Sequence, residues 1–102
     1  MVVLFFLILL VSISRAAQAE TLRGTVLDSR TGVPVPGVKV ILYHPAVGAS
    51  RPQYTDRYGR FYFPFVPYQS RPYDLEFYWR EQLIFRDRIE IRGDMEPPPY
   101  RL

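Results

Sequence analysis

The chain has 102 residues, 13 basic and 10 acidic side chains, a formal net charge of +3 and no cysteine. That length gives a single domain, and the lack of cysteine excludes a disulfide framework, a thiolate metal centre and a lipid anchor on a cysteine. The positive excess is small and dispersed along the sequence, unlike the clustered footprint of a nucleic-acid-binding protein.

Residues 1–19 read as a secretory signal peptide. Val2 to Val11 is an unbroken apolar run, followed by Ala17-Gln18-Ala19, a small-x-small cleavage pattern. The run is about half of the ~20 apolar residues a spanning helix needs and matches the apolar core of a signal. Its removal after Ala19 takes away Arg15 alone among the charged residues. The expectation is a secreted or periplasmic protein with no stable membrane insertion after cleavage.

From Glu20 onward, ten Pro and six Gly in the chain leave no window of helical period, and short alternating runs take their place, the all-β pattern. Thr21 to Asp28 forms a first strand with Leu22, Gly24 and Val26 on one face and Arg23 and Thr25 on the other. Asp28 to Gly32 turns. Val38 to His44 is the second strand, with Val38, Val40 and Leu42 inward and Ile41 and Tyr43 outward, and Pro45 to Pro52 is a loop. Gln53 to Asp56 is a short third strand, and Asp56-Arg57-Tyr58-Gly59 has the preferred ends of a type I turn.

Arg60 to Phe65 is the fourth strand, with Phe61, Phe63 and Phe65 inward, ended by Val66-Pro67. Tyr73 to Arg80 is the fifth, with Tyr73, Leu75, Phe77 and Trp79 on the core face and Asp74, Glu76, Tyr78 and Arg80 opposite. Glu81-Gln82 turns into Leu83 to Arg92, where Ile89 and Ile91 point in and Arg88, Glu90 and Arg92 out. Six or seven strands in so few residues make a small β-sandwich. Without disulfides its core rests on aromatics: Phe61, Phe63, Phe65, Phe77 and Trp79 each take ~150–250 Å² out of water when buried. Residues 20–93 form this domain and residues 94–102, with Pro97-Pro98-Pro99-Tyr100, an extended Pro-rich tail.

The run Gly24-x-Val26-x-Asp28-x-x-Thr31-Gly32-x-Pro34-Val35-Pro36-Gly37-Val38-x-Val40-x-Leu42, then Thr55-Asp56-x-x-Gly59-x-Phe61-x-Phe63-x-x-Val66-Pro67, then Tyr73-x-Leu75-x-Phe77, resembles the carboxypeptidase regulatory-like domain family. The resemblance implies an all-β, seven-strand Greek-key sandwich of the transthyretin-like, carbohydrate-binding-like kind, and a non-catalytic accessory module. A related group, the transthyretin-like 5-hydroxyisourate hydrolases, carries a catalytic His where this chain has Thr25, and a Tyr-Arg-Gly-Ser end where this chain has Tyr100-Arg101-Leu102. The single histidine, His44, has no imidazole or acid partner placed beside it by the sequence and reads as a loop-edge residue. An isopeptide bond of the pilin type joins Lys to Asn, and the chain has Lys39 but no Asn.

The remaining signal is an outward set of tyrosines and arginines around the third to fifth strands: Tyr54, Tyr58, Arg60, Tyr62, Tyr78 and Arg80. Both residue types are enriched at interfaces, flat rings stack on sugars, and both also pair across strands for stability alone. No cofactor or metal is expected, since one histidine and no cysteine cannot supply a ligand set. The expectation is a non-catalytic module for binding or structural support in the cell envelope, its partner an envelope protein or polysaccharide rather than nucleic acid. A carbohydrate-binding module is the alternative, and a hydroxyisourate-hydrolase-like enzyme is the least supported.

Overall fold

The structure is a computed structural model and describes residues 19–102; the signal-peptide reading of residues 1–18 lies outside the described residues. All regular structure in that range is β. The strands are β1 (Ala19–Leu27), β2 (Lys39–His44), β3 (Gly48–Ala49), β4 (Gln53–Tyr54), β5 (Arg60–Pro67), β6 (Tyr73–Trp79), β7 (Gln82–Ile89), β8 (Asp94–Met95) and β9 (Tyr100–Arg101).

They form two sheets. In the first, β1 lies between antiparallel β5 on one side and the parallel pieces β8 and β9 on the other. In the second, β2 pairs with β6 and β6 with β7, while β3 and β4 share the opposite edge of β2. Successive long strands thus fall in different sheets until the β6–β7 hairpin, and the alternating apolar positions of each strand meet in one core. Leu22 and Val26 from β1, Phe61 and Phe63 from β5, Val40 and Leu42 from β2 and Leu75 and Phe77 from β6 fill it. Phe61 sits edge-on to Phe63 and to Phe77, with ring centroids 6.1 and 5.8 Å apart, the offset geometry aromatic rings prefer.

Two predicted core aromatics are not in the core. Phe65 is 83 % exposed. Leu22 faces Phe63 and Glu20 faces Val66, so Pro64 and Phe65 together stand opposite Thr21. That extra residue is a β-bulge at a proline, where a missing amide donor is tolerated. It inverts the alternation, turning Phe65 out and burying Val66, and β5 runs on through Pro67 instead of breaking there. Trp79 is 40 % exposed, because β6 ends with it.

The β6–β7 turn is Arg80-Glu81, one residue earlier than the sequence indicates. Trp79 pairs with Gln82, and Arg80 and Glu81 carry φ of 51° and 67°, the double positive φ of a type I′ hairpin. Arg80 is therefore a turn residue rather than part of an outward strand face. A second bulge follows, since Phe77 faces Phe85 and Tyr78 faces Leu83, leaving Ile84 without a partner on β6.

The turn before β5 is tightly specified. Asp56 Oδ1 accepts the amides of Tyr58 (2.9 Å) and Arg60 (3.0 Å). Gly59 sits at φ 72° with its carbonyl accepting the Val26 amide at 2.7 Å, and a Cβ there would run into the Val26 carbonyl. Thr55 anchors the approach to this turn: its buried hydroxyl accepts the Val38 amide (2.9 Å) and donates to the Val35 carbonyl (2.7 Å). These bonds tie the end of β4 to the segment leading into β2.

Residues 94–102 lie along the free side of β1. Beyond β8 and β9, the Leu102 amide donates to the Leu27 carbonyl and the Ser29 amide to the Leu102 carbonyl, both at 2.9 Å. Tyr100 packs on Phe77 with centroids 4.8 Å apart and donates its hydroxyl to Asp87 Oδ2 at 2.8 Å.

Candidate functional site

An open groove of about 660 Å³ lies on the outer face of the first sheet. Its floor follows from strand alternation. With Leu22, Gly24 and Val26 buried, Arg23 and Thr25 must face out from β1, and with Phe61 and Phe63 buried, Arg60 and Tyr62 must face out from β5. The antiparallel register sets Arg23 opposite Tyr62 and Thr25 opposite Arg60. Gln53 and Tyr54 of β4, with Asp56, line one side. Glu96, just after β8, lines the groove too.

Guanidinium groups and phenol rings are paired here. The Arg23 guanidinium carbon lies 5.1 Å from the centroid of the Tyr62 ring. Tyr58 has Arg57 at 4.9 Å and Arg60 at 5.7 Å. Cation–π contact of this kind is worth about 0.5–1 kcal/mol at an exposed site. Among the described residues none of these three arginines forms an ion pair. The ion pairs lie elsewhere: Arg86 with Glu76 at 3.0 Å and Arg88 with Asp74 at 3.5 Å on the outer face of the second sheet, Lys39 with Glu81 at 3.1 Å, and Arg92 with Glu90 at 3.9 Å. Asp56 is occupied by its turn. The Arg60 amide and then the Tyr58 amide hold its carboxyl below the usual range.

Three of the six sequence-selected residues, Tyr54, Arg60 and Tyr62, line this groove. Tyr58 joins them through its contact with Arg60. The other two stand apart. Tyr78 lies on the outer face of the second sheet, paired in register with Lys39, and its hydroxyl donates to Glu76 at 2.9 Å. That bond, first, and then partial burial raise the phenol above its ordinary range. Arg80 belongs to the hairpin turn, over Trp79. Sequence reading passed over Arg23, Gln53 and Glu96. The sequence does carry a signal for Arg23, because alternation puts it and Tyr62 on outward faces; the pairing of β1 with β5 that brings them together is not encoded locally.

His44 is not at a loop edge. It is 4 % exposed, on the core face at the end of β2, with its ring 5.1 Å from that of Tyr73. Its Nδ1 accepts the Ala46 amide at 3.0 Å, which leaves the proton on Nε2, and that atom has no partner among the described residues. Thr25 faces the groove on the opposite sheet, so the chain's one imidazole and the position that resembles a hydrolase's catalytic histidine do not share a site. Among the described residues no group of three or more His, Asp or Glu side chains is placed to hold a metal ion.

A family model for the carboxypeptidase regulatory-like domain matches residues 21–81. The chain belongs to this family. The matched range runs from β1 through β6 and into the hairpin turn, and includes every groove residue named above except Glu96. Carboxypeptidase regulatory-like domains are β-sandwich modules, generally non-catalytic, in keeping with the two-sheet architecture here. Among curated proteins no match was found.

Proposed function

We propose that this carboxypeptidase regulatory-like domain is a non-catalytic, secreted or periplasmic binding module that meets an envelope component through the outer face of β1 and β5. One observation carries the reading: this groove is where Arg23 and Arg60 lie against tyrosine rings and, among the described residues, form no ion pair. On the outer face of the second sheet, by contrast, Arg86 and Arg88 are each paired with a carboxylate, and Lys39 with Glu81. An arginine that is oriented by a ring and not consumed by a carboxylate is poised for a partner.

The test is retention of envelope components on the immobilised protein. Material held by the unaltered protein should be lost with Arg23→Ala and Tyr62→Ala and kept with Arg88→Ala, whose side chain lies on the second sheet. Equal retention by all variants, or none by any, contradicts the proposal. A second reading, carbohydrate binding, is favoured by the rings of Tyr54 and Tyr62 beside the hydrogen-bonding side chains of Gln53 and Thr25 in one groove. An array of neutral and acidic glycans to which nothing binds removes it.

A further inference from the structure

We infer that the ligand of this groove is an acidic polysaccharide, a polymer bearing carboxylates on its sugar rings, held chiefly by Arg23 and Arg60; the inference rests on the groove being the contact face. The register carries it. Arg23 faces Tyr62, and Arg60 stands two residues along the same strand opposite Thr25. The two arginines are therefore diagonal neighbours on one sheet face, with roughly 7–8 Å between such positions. Like charges so placed repel, and no acidic side chain stands between them on β1 or β5. A bound anion turns that repulsion into attraction.

The chemistry of the arginines narrows the anion. A guanidinium offers a planar fork of donors that matches a carboxylate, and it keeps less water than an ammonium does. Two forks on one face engage successive carboxylates of one polymer, whereas a single small anion uses one of them. Two acids stand at the margins: Asp56, whose Oδ1 accepts the Tyr58 and Arg60 amides and whose charge also attracts Arg60, and Glu96 just after β8; among the described residues neither forms an ion pair with Arg23 or Arg60.

Two other anionic macromolecules fit less well. A peptide interface centres on an apolar pocket that takes an anchoring side chain, and the apolar residue nearest this groove, Phe61, is itself buried in the core. Single-stranded nucleic acid needs a cationic track along its backbone, and here two guanidiniums form the floor, with Arg57 flanking at Tyr58.

The experiment measures binding of the protein to polygalacturonate, to its methyl ester, to polyglutamate and to oligothymidylate. Polygalacturonate is expected to bind, and more weakly as salt is added, because exposed charges are screened. The ester, with the same ring and no charge, should bind at least about tenfold more weakly, and the Arg23→Ala, Arg60→Ala double variant should lose a similar factor. Arg88→Ala should leave affinity unchanged.

Equal affinity for acid and ester overturns the inference while leaving a neutral-sugar site in place. Tighter binding of polyglutamate or oligothymidylate overturns it in favour of those partners, and equal loss in Arg88→Ala reduces it to diffuse charge. Failure of all four polymers overturns it too. The wider proposal falls only if envelope material is also not retained at this face.

Discussion

Gly24 lies directly beneath the Phe61 ring, and a Cβ built at residue 24 would overlap that ring. Phe61 is packed against Phe63 and Phe77 and has nowhere to move. Gly24→Ala should therefore destabilise the protein by about 1–3 kcal/mol through overpacking, read as a lower denaturant midpoint. Asp56 answers a different question. The Arg60 and Tyr58 amides depress its carboxyl pKa, and the Thr31 and Arg30 amides do the same at Asp28. A depressed carboxylate adds stability above its unfolded pKa of about 3.9 and loses it as pH falls below that value toward the folded one. Thermal midpoints should thus be level near neutrality and drop below about pH 4, and Asp56→Asn should lower the neutral plateau while flattening the acid drop. At this scale much of the site was legible, because tyrosine and arginine at outward strand positions announce a surface. Arg23 was missed because its meaning depends on which strand lies beside it.

Among the elements, β5 shows where reading by alternation stops working. A period of two assigns Phe61, Phe63 and Phe65 to one face, and the bulge at Pro64-Phe65 inverts the last of them. Proline in a strand was the available warning, since it is tolerated at bulges and edges. Phe63→Ala should cost about 3–5 kcal/mol, as for a buried phenylalanine, whereas Phe65→Ala should stay within about 0.5 kcal/mol, as for an exposed site. Equal losses in the two variants would contradict the bulge. The hairpin misreading has a similar origin. Arg80 and Glu81 hold the positive φ that the sequence signal reserves for Asn-Gly or Asp-Gly, so nothing local marked them as the turn.

Across the whole molecule, the all-β sandwich was readable from short alternating runs punctuated by Gly and Pro, and the strand partners were not. Pairing of β1 with β5 and of β2 with β6 depends on contacts far apart in sequence, which local pattern does not encode. The last residues show the same limit: a Pro-rich stretch reads as an extended tail, yet Tyr100 covers Phe77 and Leu102 is hydrogen-bonded into the β1 side of the sandwich. Burial, then the bond to Asp87, drives the Tyr100 phenol far above its ordinary pKa, so it remains a donor throughout the working range. Tyr100→Phe should cost about 1–3 kcal/mol by leaving the half-buried Asp87 carboxylate without its donor, and Tyr100→Ala more, through loss of packing on Phe77. Both are read from denaturant midpoints.

One sheet face has its charges paired and the other holds guanidiniums supported by rings, and the second is the face proposed to meet the ligand. Amide and side-chain chemical-shift perturbation by NMR, with polygalacturonate added, tests it most directly. Shifts confined to Arg23, Thr25, Tyr54, Arg60 and Tyr62 are expected. Shifts centred on β6 and β7, around Glu76, Arg86 and Arg88, would contradict it.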